Sequence, residues 1–177
     1  LTGTISLLGG RFDDLSLKKY KETLDADSPL VRLLAPVGGT DLGAEKPYYT
    51  VYGWSPAGGL DPALVPGPKT LWTAPADAVL TPETPVTLSW DNGAGLGFTR
   101  TISVDNEYMF TVKDEVENKS ATAQALFPYA RVYRLGTPKL EGFLILHEGL
   151  IGVLGEKGLQ ELKYADALKD GGNKSFE

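Results

Sequence analysis

Residues 85–117 alternate apolar and polar side chains through three consecutive runs, and that alternation constrains the fold more than any other feature of the chain. Val86, Leu88 and Trp90 alternate with Thr87, Ser89 and Asp91, the period-two pattern of a strand buried on one face. Asp91-Asn92-Gly93 follows, a turn signal because Asn and Gly tolerate positive φ. The second run places Leu96, Phe98, Arg100, Ile102 and Val104 on one face. Asp105-Asn106-Glu107 makes a short loop, and the third run sets Tyr108, Phe110, Val112, Asp114 and Val116 on one face. Strands joined by turns this short can only be antiparallel neighbours, so the segment predicts a meander.

Two of these inward positions carry charge. If the second loop pairs Val104 with Tyr108, Arg100 falls opposite Val112 and Asp114 opposite Phe98, which makes the two charges diagonal neighbours within reach of each other. An unpaired charge in such a row is costly, so Arg100 and Asp114 are expected to form a buried ion pair or to share a polar cleft. They are the candidate site residues; no catalytic, cofactor-binding or metal-binding residue is assigned.

Further strands are expected at residues 3–8, 12–17, 30–34, 48–54, 69–73, 78–81, 123–135 and 142–146, with Pro128 marking an edge or a bulge. Residues 55–68 read as a Pro/Gly loop. One helix is expected over residues 156–169, where Leu159, Leu162, Ala165 and Leu168 recur every three residues ahead of Asp170-Gly171-Gly172. With 21 Gly and 12 Pro between the apolar runs and no internal repeat or linker, residues 1–177 are expected to form a single all-β, sandwich-type domain.

Charge and composition narrow the function. Seventeen Lys and Arg against 23 Asp and Glu give a net charge of -6, and the only dense basic run is Lys18-Lys19-Tyr20-Lys21, so nucleic acid is not an expected partner. The absence of Cys removes disulfides and thiolate chemistry. The apolar stretch 142–155 is too short to span a bilayer and carries His147 and Glu148 in its middle. Without an initiator Met or a signal peptide, the chain reads as a piece of something longer.

Chemistry-bearing residues are sparse. His147 is the sole histidine, and no Gly-x-Ser-x-Gly motif accompanies it. His147 and Glu148 are adjacent, so regular strand geometry would point them to opposite faces, away from any common metal. The acidic clusters Asp13-Asp14, Asp25-Ala26-Asp27 and Asp114-Glu115 read as solvated turns. Trp54, Trp72, Trp90, Tyr48, Tyr49 and Tyr52 would suit an aromatic cleft, but alternating strand aromatics are more commonly core.

VTLSWDNGAGLGFTRTISVDNEYMFTVKDEVENKS, residues 86–120, resembles the large periplasmic domain of the YidC membrane-protein insertase family, in particular its α-proteobacterial type. The opening LTGTISLLGGRFDDLSLKKY, the segment LFPYARVYRLG at 126–136 and FLILHEGLIGVLGEKGLQELKYADAL at 143–168 are similar to the same family. The resemblance covers nearly the whole chain and is thinnest over residues 55–68. It implies a β-supersandwich similar to the galactose-mutarotase superfamily, with a short helix near the C-terminal end. It also implies a non-enzymatic domain at the periplasmic face of the bacterial inner membrane, tethered by segments outside this chain. There it would assist insertion and folding of membrane proteins through contacts with Sec translocon accessory subunits or nascent membrane proteins. Mutarotase relatives work with a histidine pair and a glutamate, and His147 alone does not supply that set. No cofactor is implied. The rival readings are a carbohydrate-binding or mutarotase-like periplasmic module and a scaffold domain unrelated to insertion.

Overall fold

A computed structural model describes residues 1–37, 46–138, 140, 145–167 and 169. It divides into two compact units, Leu1–Leu135 and Gly136–Glu177. The first holds two antiparallel sheets. One contains β1 (Thr2–Ser6), β2 (Arg11–Lys21), β3 (Leu30–Leu34), β4 (Tyr48–Pro56) and β8 (Leu126–Arg134), in the order β1-β2-β4-β8 with β3 also paired to β2. The other is the meander β5 (Val86–Asp91), β6 (Leu96–Val104) and β7 (Phe110–Asn118). The chain thus leaves the first sheet after β4, builds the second, and returns at β8. Pro128 sits in β8, the edge strand of its sheet, where a missing N–H need not break a ladder.

The inner faces of the two sheets meet in one core. Phe12, Leu15 and Leu34 come from the first sheet, Leu88, Leu96, Phe98 and Ile102 from the second, and Trp72 and Val65 from the connecting segment. The fold is an all-β sandwich of antiparallel sheets, as the strand pattern and the resemblance both imply. Strand β6 alternates buried and half-buried residues along its whole length, so its two faces follow directly from the sequence period.

The two meander turns explain the register. In the first, Asp91 Oδ1 accepts the Gly93 N–H at 2.7 Å while Asn92 Oδ1 accepts those of Ala94 and Leu96 at 2.7 and 3.0 Å. In the second, Asp105 Oδ1 accepts the N–H groups of Glu107 and Met109, each at 2.8 Å. That side chain holds Tyr108 in the left-handed region at φ 69°, outside the ladder. Val104 therefore pairs with Phe110, not with Tyr108 as the short-loop reading expects. The shift is two residues, so the faces are preserved while every cross-strand partner changes.

Two expected strands are absent as strands. Residues 69–73 and 78–81 form no ladder, and only the isolated bridges Leu8 to Leu71 and Thr73 to Ser89 remain of the first. Pro66, Pro68, Pro75 and Pro82 remove backbone donors around both. Inside the loop expected at residues 55–68, a single 3-10 turn at Pro62–Leu64 is capped by Asp61 Oδ1, which accepts the Ala63 N–H at 2.8 Å. Of the strand expected at 142–146, residues 142–144 lie outside the described residues, and 145 and 146 are not strand.

The second unit corrects the helix expected over 156–169. Leu159–Lys163 is strand β10, paired antiparallel with β9 (Gly149–Val153); among the described residues of that span, Gly155–Lys157 is a 3-10 turn and only Tyr164–Ala167 is α-helical, α1. Gly155 and Gly158 take positive φ and close a hairpin turn in which Leu154 N–H bonds the Gly158 carbonyl at 3.0 Å. A three-residue leucine spacing over so short a span cannot outweigh that turn. The short C-terminal helix survives at one turn, and Leu168 lies outside the described residues.

Trp72 is 1% exposed and is set among residues of both sheets. Trp72→Ala is expected to lower unfolding stability by about 3–5 kcal/mol, read by urea denaturation.

Candidate functional site

Arg100 is 0% exposed on β6, and Asp114 lies directly opposite it on β7. Nε donates to Asp114 Oδ1 at 2.7 Å and Nη2 donates to Oδ2 at 2.8 Å, a side-on bidentate pair. The diagonal placement expected from the shorter loop is thus replaced by direct opposition, because Asp105 lengthens the turn by two residues. The remaining nitrogen, Nη1, reaches the carbonyls of Gly10 and Gly9 at 3.3 and 3.5 Å. The guanidinium carbon lies 4.8 Å from the Trp72 ring centroid and 5.2 Å from that of Tyr52. One side chain therefore ties β6 to β7, to the turn between β1 and β2, to the connecting segment and to β4. Gly10 is required for it: φ is 57°, and a Cβ there would stand 2.9 Å from Arg100 Nη1.

The other candidates do not converge. Asp13 and Asp14 lie within β2 and not in a solvated turn. The β1–β2 register skips Asp13, and this bulge leaves its carboxylate buried beside Arg11 at 3.2 Å, while Asp14 pairs with Arg32 at 2.8 Å. Burial pushes the Asp13 carboxyl above its ordinary range, against the opposing pull of Arg11. Asp25 accepts from the Thr23 hydroxyl at 3.3 Å in an exposed turn. Glu115 pairs with Lys113 at 2.8 Å on the exposed face of β7, whereas its neighbour Asp114 faces inward. His147 precedes β9 outside any strand. Among the described residues, no group of three or more His, Cys, Asp or Glu could hold a metal.

The aromatics are mostly core. Trp54 and Trp90 pack on Phe98 at centroid distances of 6.0 and 5.6 Å, and Tyr52 meets Phe12 edge-on at 5.8 Å. Tyr49 instead stacks on Tyr133 at 5.2 Å.

One concavity carries binding potential, and the alternation of apolar and polar residues does not reveal it. A cleft of about 570 Å³ runs along β1, with Ile5, Leu15, Leu88, Val104 and Phe110 among its lining and Lys18 and Lys19 among its polar residues. Its residues come from β1 and its flanks, β2, β5, β6, β7, the β6–β7 turn and the irregular segment 74–82, so no local spacing announces it. The dense basic run at 18–21 is the one trace visible in the sequence.

A family model described as the YidC periplasmic domain matches residues 1–177. The chain is similar to the membrane protein insertase YidC of Paracoccus denitrificans, 48% identical over 96% of this chain and 29% of that protein. The corresponding protein of Methylobacterium nodulans is 51% identical over 96% of this chain and 27% of its own length. That of Cereibacter sphaeroides is 54% identical over 93% and 26%. The chain spans less than a third of the length of these curated relatives. No solved structure matches it.

Asp114→Asn leaves the Arg100 charge buried without its counterion, and a loss of about 3 kcal/mol is expected in urea denaturation. The double replacement Arg100→Met with Asp114→Leu removes both charges and is expected to recover most of that loss. Asp13 titrates with the opposite sign from a stabilising carboxylate. Its raised folded pKa means its contribution is fully present below the unfolded pKa and is lost as pH rises through the folded one. Asp13→Asn should therefore gain stability relative to the parent chain between pH 3 and pH 7, as measured by urea denaturation at both values.

Proposed function

The chain belongs to the YidC periplasmic domain family, and from that membership we propose that it serves as the periplasmic domain of a membrane-protein insertase. The observation that carries this reading is a family match over the whole chain together with about half identity to proteins named membrane protein insertases. In this reading the domain stands at the periplasmic face of the bacterial inner membrane, held by segments outside residues 1–177. The absence, among the described residues, of a helix long and apolar enough to cross a membrane is compatible with that placement. Both compact units fall inside the family match, which supports treating residues 1–177 as one domain.

The domain works by contact and not by catalysis. Its partners are nascent membrane proteins and accessory subunits of the Sec translocon, with chaperone-like assistance to folding as the outcome. Three features favour contact: the carboxylates are dispersed in separate ion pairs and turns, the single imidazole lies before β9, and the internal charge pair is closed on itself, with its Arg100 end fully buried. A sugar-binding module of mutarotase type would need a polar concavity, whereas the cleft along β1 is mainly apolar.

The test uses the full-length protein in inner-membrane vesicles, with photo-crosslinking residues at the exposed positions Lys113, Lys119 and Arg131 of this domain. Adducts to nascent membrane proteins or Sec subunits are expected. Failure of all three positions to capture either, in vesicles that still insert substrate, would count against the contact role. Calorimetric titration with a panel of monosaccharides and oligosaccharides is expected to show no tight stoichiometric binding.

A further inference from the structure

We propose that the cleft along β1 is a strand-acceptor site, which takes an extended apolar peptide segment carrying acidic residues and pairs its backbone with the open edge of β1. The proposal rests on the contact role above and assigns that role a place and a ligand chemistry.

Three observations converge. First, among the described residues β1 ends its sheet and pairs only with β2, and residues Thr2, Gly3, Thr4 and Ile5 of this edge line the cleft. Its sequence, TGTIS, carries no Lys or Pro, which natural edge strands use to refuse a partner. An open edge offers main-chain donors and acceptors to an added strand, and adjoining pockets then select alternate side chains. Second, Ile5, Leu15, Leu88, Val104 and Phe110 provide apolar surface beside that edge, where side chains on one face of an incoming strand would be buried. The cleft's 570 Å³ lies in the range of about 300–1,000 Å³ typical of ligand sites.

Third, the charge has a sign. Lys18 and Lys19 line the cleft, and neither ammonium is paired with a carboxylate among the described residues. Lys19 Nζ lies 5.7 Å from the Tyr108 ring centroid, which places it against the wall that β7's leading turn provides. Asp105, the one acid in the lining, has Oδ1 committed to the Glu107 and Met109 N–H groups. Two ammonium groups against one carboxylate leave a positive balance among the lining side chains, over an apolar floor, in a chain of net charge -6, which is complementary to an apolar segment flanked by Asp or Glu. A long-chain carboxylate would match the floor and the rim but would make no use of the open main-chain edge, so the peptide is the favoured occupant.

The experiment uses the detergent-solubilised full-length protein and a fluorescein-labelled peptide, Thr-Val-Thr-Val-Thr-Val-Glu-Glu, followed by fluorescence anisotropy. Saturable binding is expected, weakened at least 10-fold by the double substitution K18E/K19E and at least 10-fold when alternate peptide nitrogens are N-methylated. N-methylation tests the backbone pairing on the unmodified protein, so the result does not depend on a variant folding. Absence of saturable binding overturns the proposal, as does equal binding of the N-methylated peptide or displacement of the peptide by stoichiometric palmitate. A photo-crosslinker at Thr4 that captures only the protein's own chain, with added peptide unable to compete, also overturns it by showing the edge already occupied. These outcomes leave the Lys113, Lys119 and Arg131 crosslinks untouched, so failure here is distinct from failure of the contact role.

Discussion

A guanidinium with no solvent exposure dictates much of what surrounds it. Transferring Arg100 from water costs several kcal/mol, and that penalty is offset only if its donors find acceptors and its faces find polarisable partners. Asp114 takes two donors, the Gly9 and Gly10 carbonyls take the third nitrogen, and Trp72 and Tyr52 lie within cation–π range. Each of these partners belongs to a different part of the chain. Their mutual placement is therefore a condition for tolerating one charge, and the register of β6 against β7 is part of that condition.

That constraint explains why the sequence was readable where it was. Arg100 and Asp114 stood out because they interrupted two otherwise apolar rows of matching parity, and parity survives a register error of two residues. The register itself was not legible. It depends on one Asp105 oxygen binding amides two and four residues ahead, and on Tyr108 accepting a left-handed backbone that its residue type does not advertise. The same limit applies to residues 159–163, where leucine spacing suggested a helix. There two glycines of positive φ fix a hairpin whose partner strand, Gly149–Val153, had shown no strand signal because glycine opens and interrupts it.

The cleft was illegible for a different reason. Its lining is gathered from five strands and an irregular segment, so only tertiary structure assembles it. Local patterns report which face of a strand is buried. They carry no information about where two buried faces stop meeting and leave a gap.

The buried pair and the cleft share a wall. Leu88 lines the cleft, and its Cδ1 stands 3.3 Å from the position a Gly10 Cβ would occupy, beside Arg100 Nη1 at 2.9 Å. Gly9 and Gly10 form the connection that leads from β1 into β2, and Arg100 holds that connection against the second sheet. The open edge of β1 is consequently anchored at one end to a charge that cannot move without losing its counterion. A strand-accepting edge gains affinity when it is held in its bound geometry, because less ordering remains to be done on association. The interaction that fixes the connection between β1 and β2 thus also holds that edge at one end, which links a residue with no access to solvent to the surface where a partner would dock.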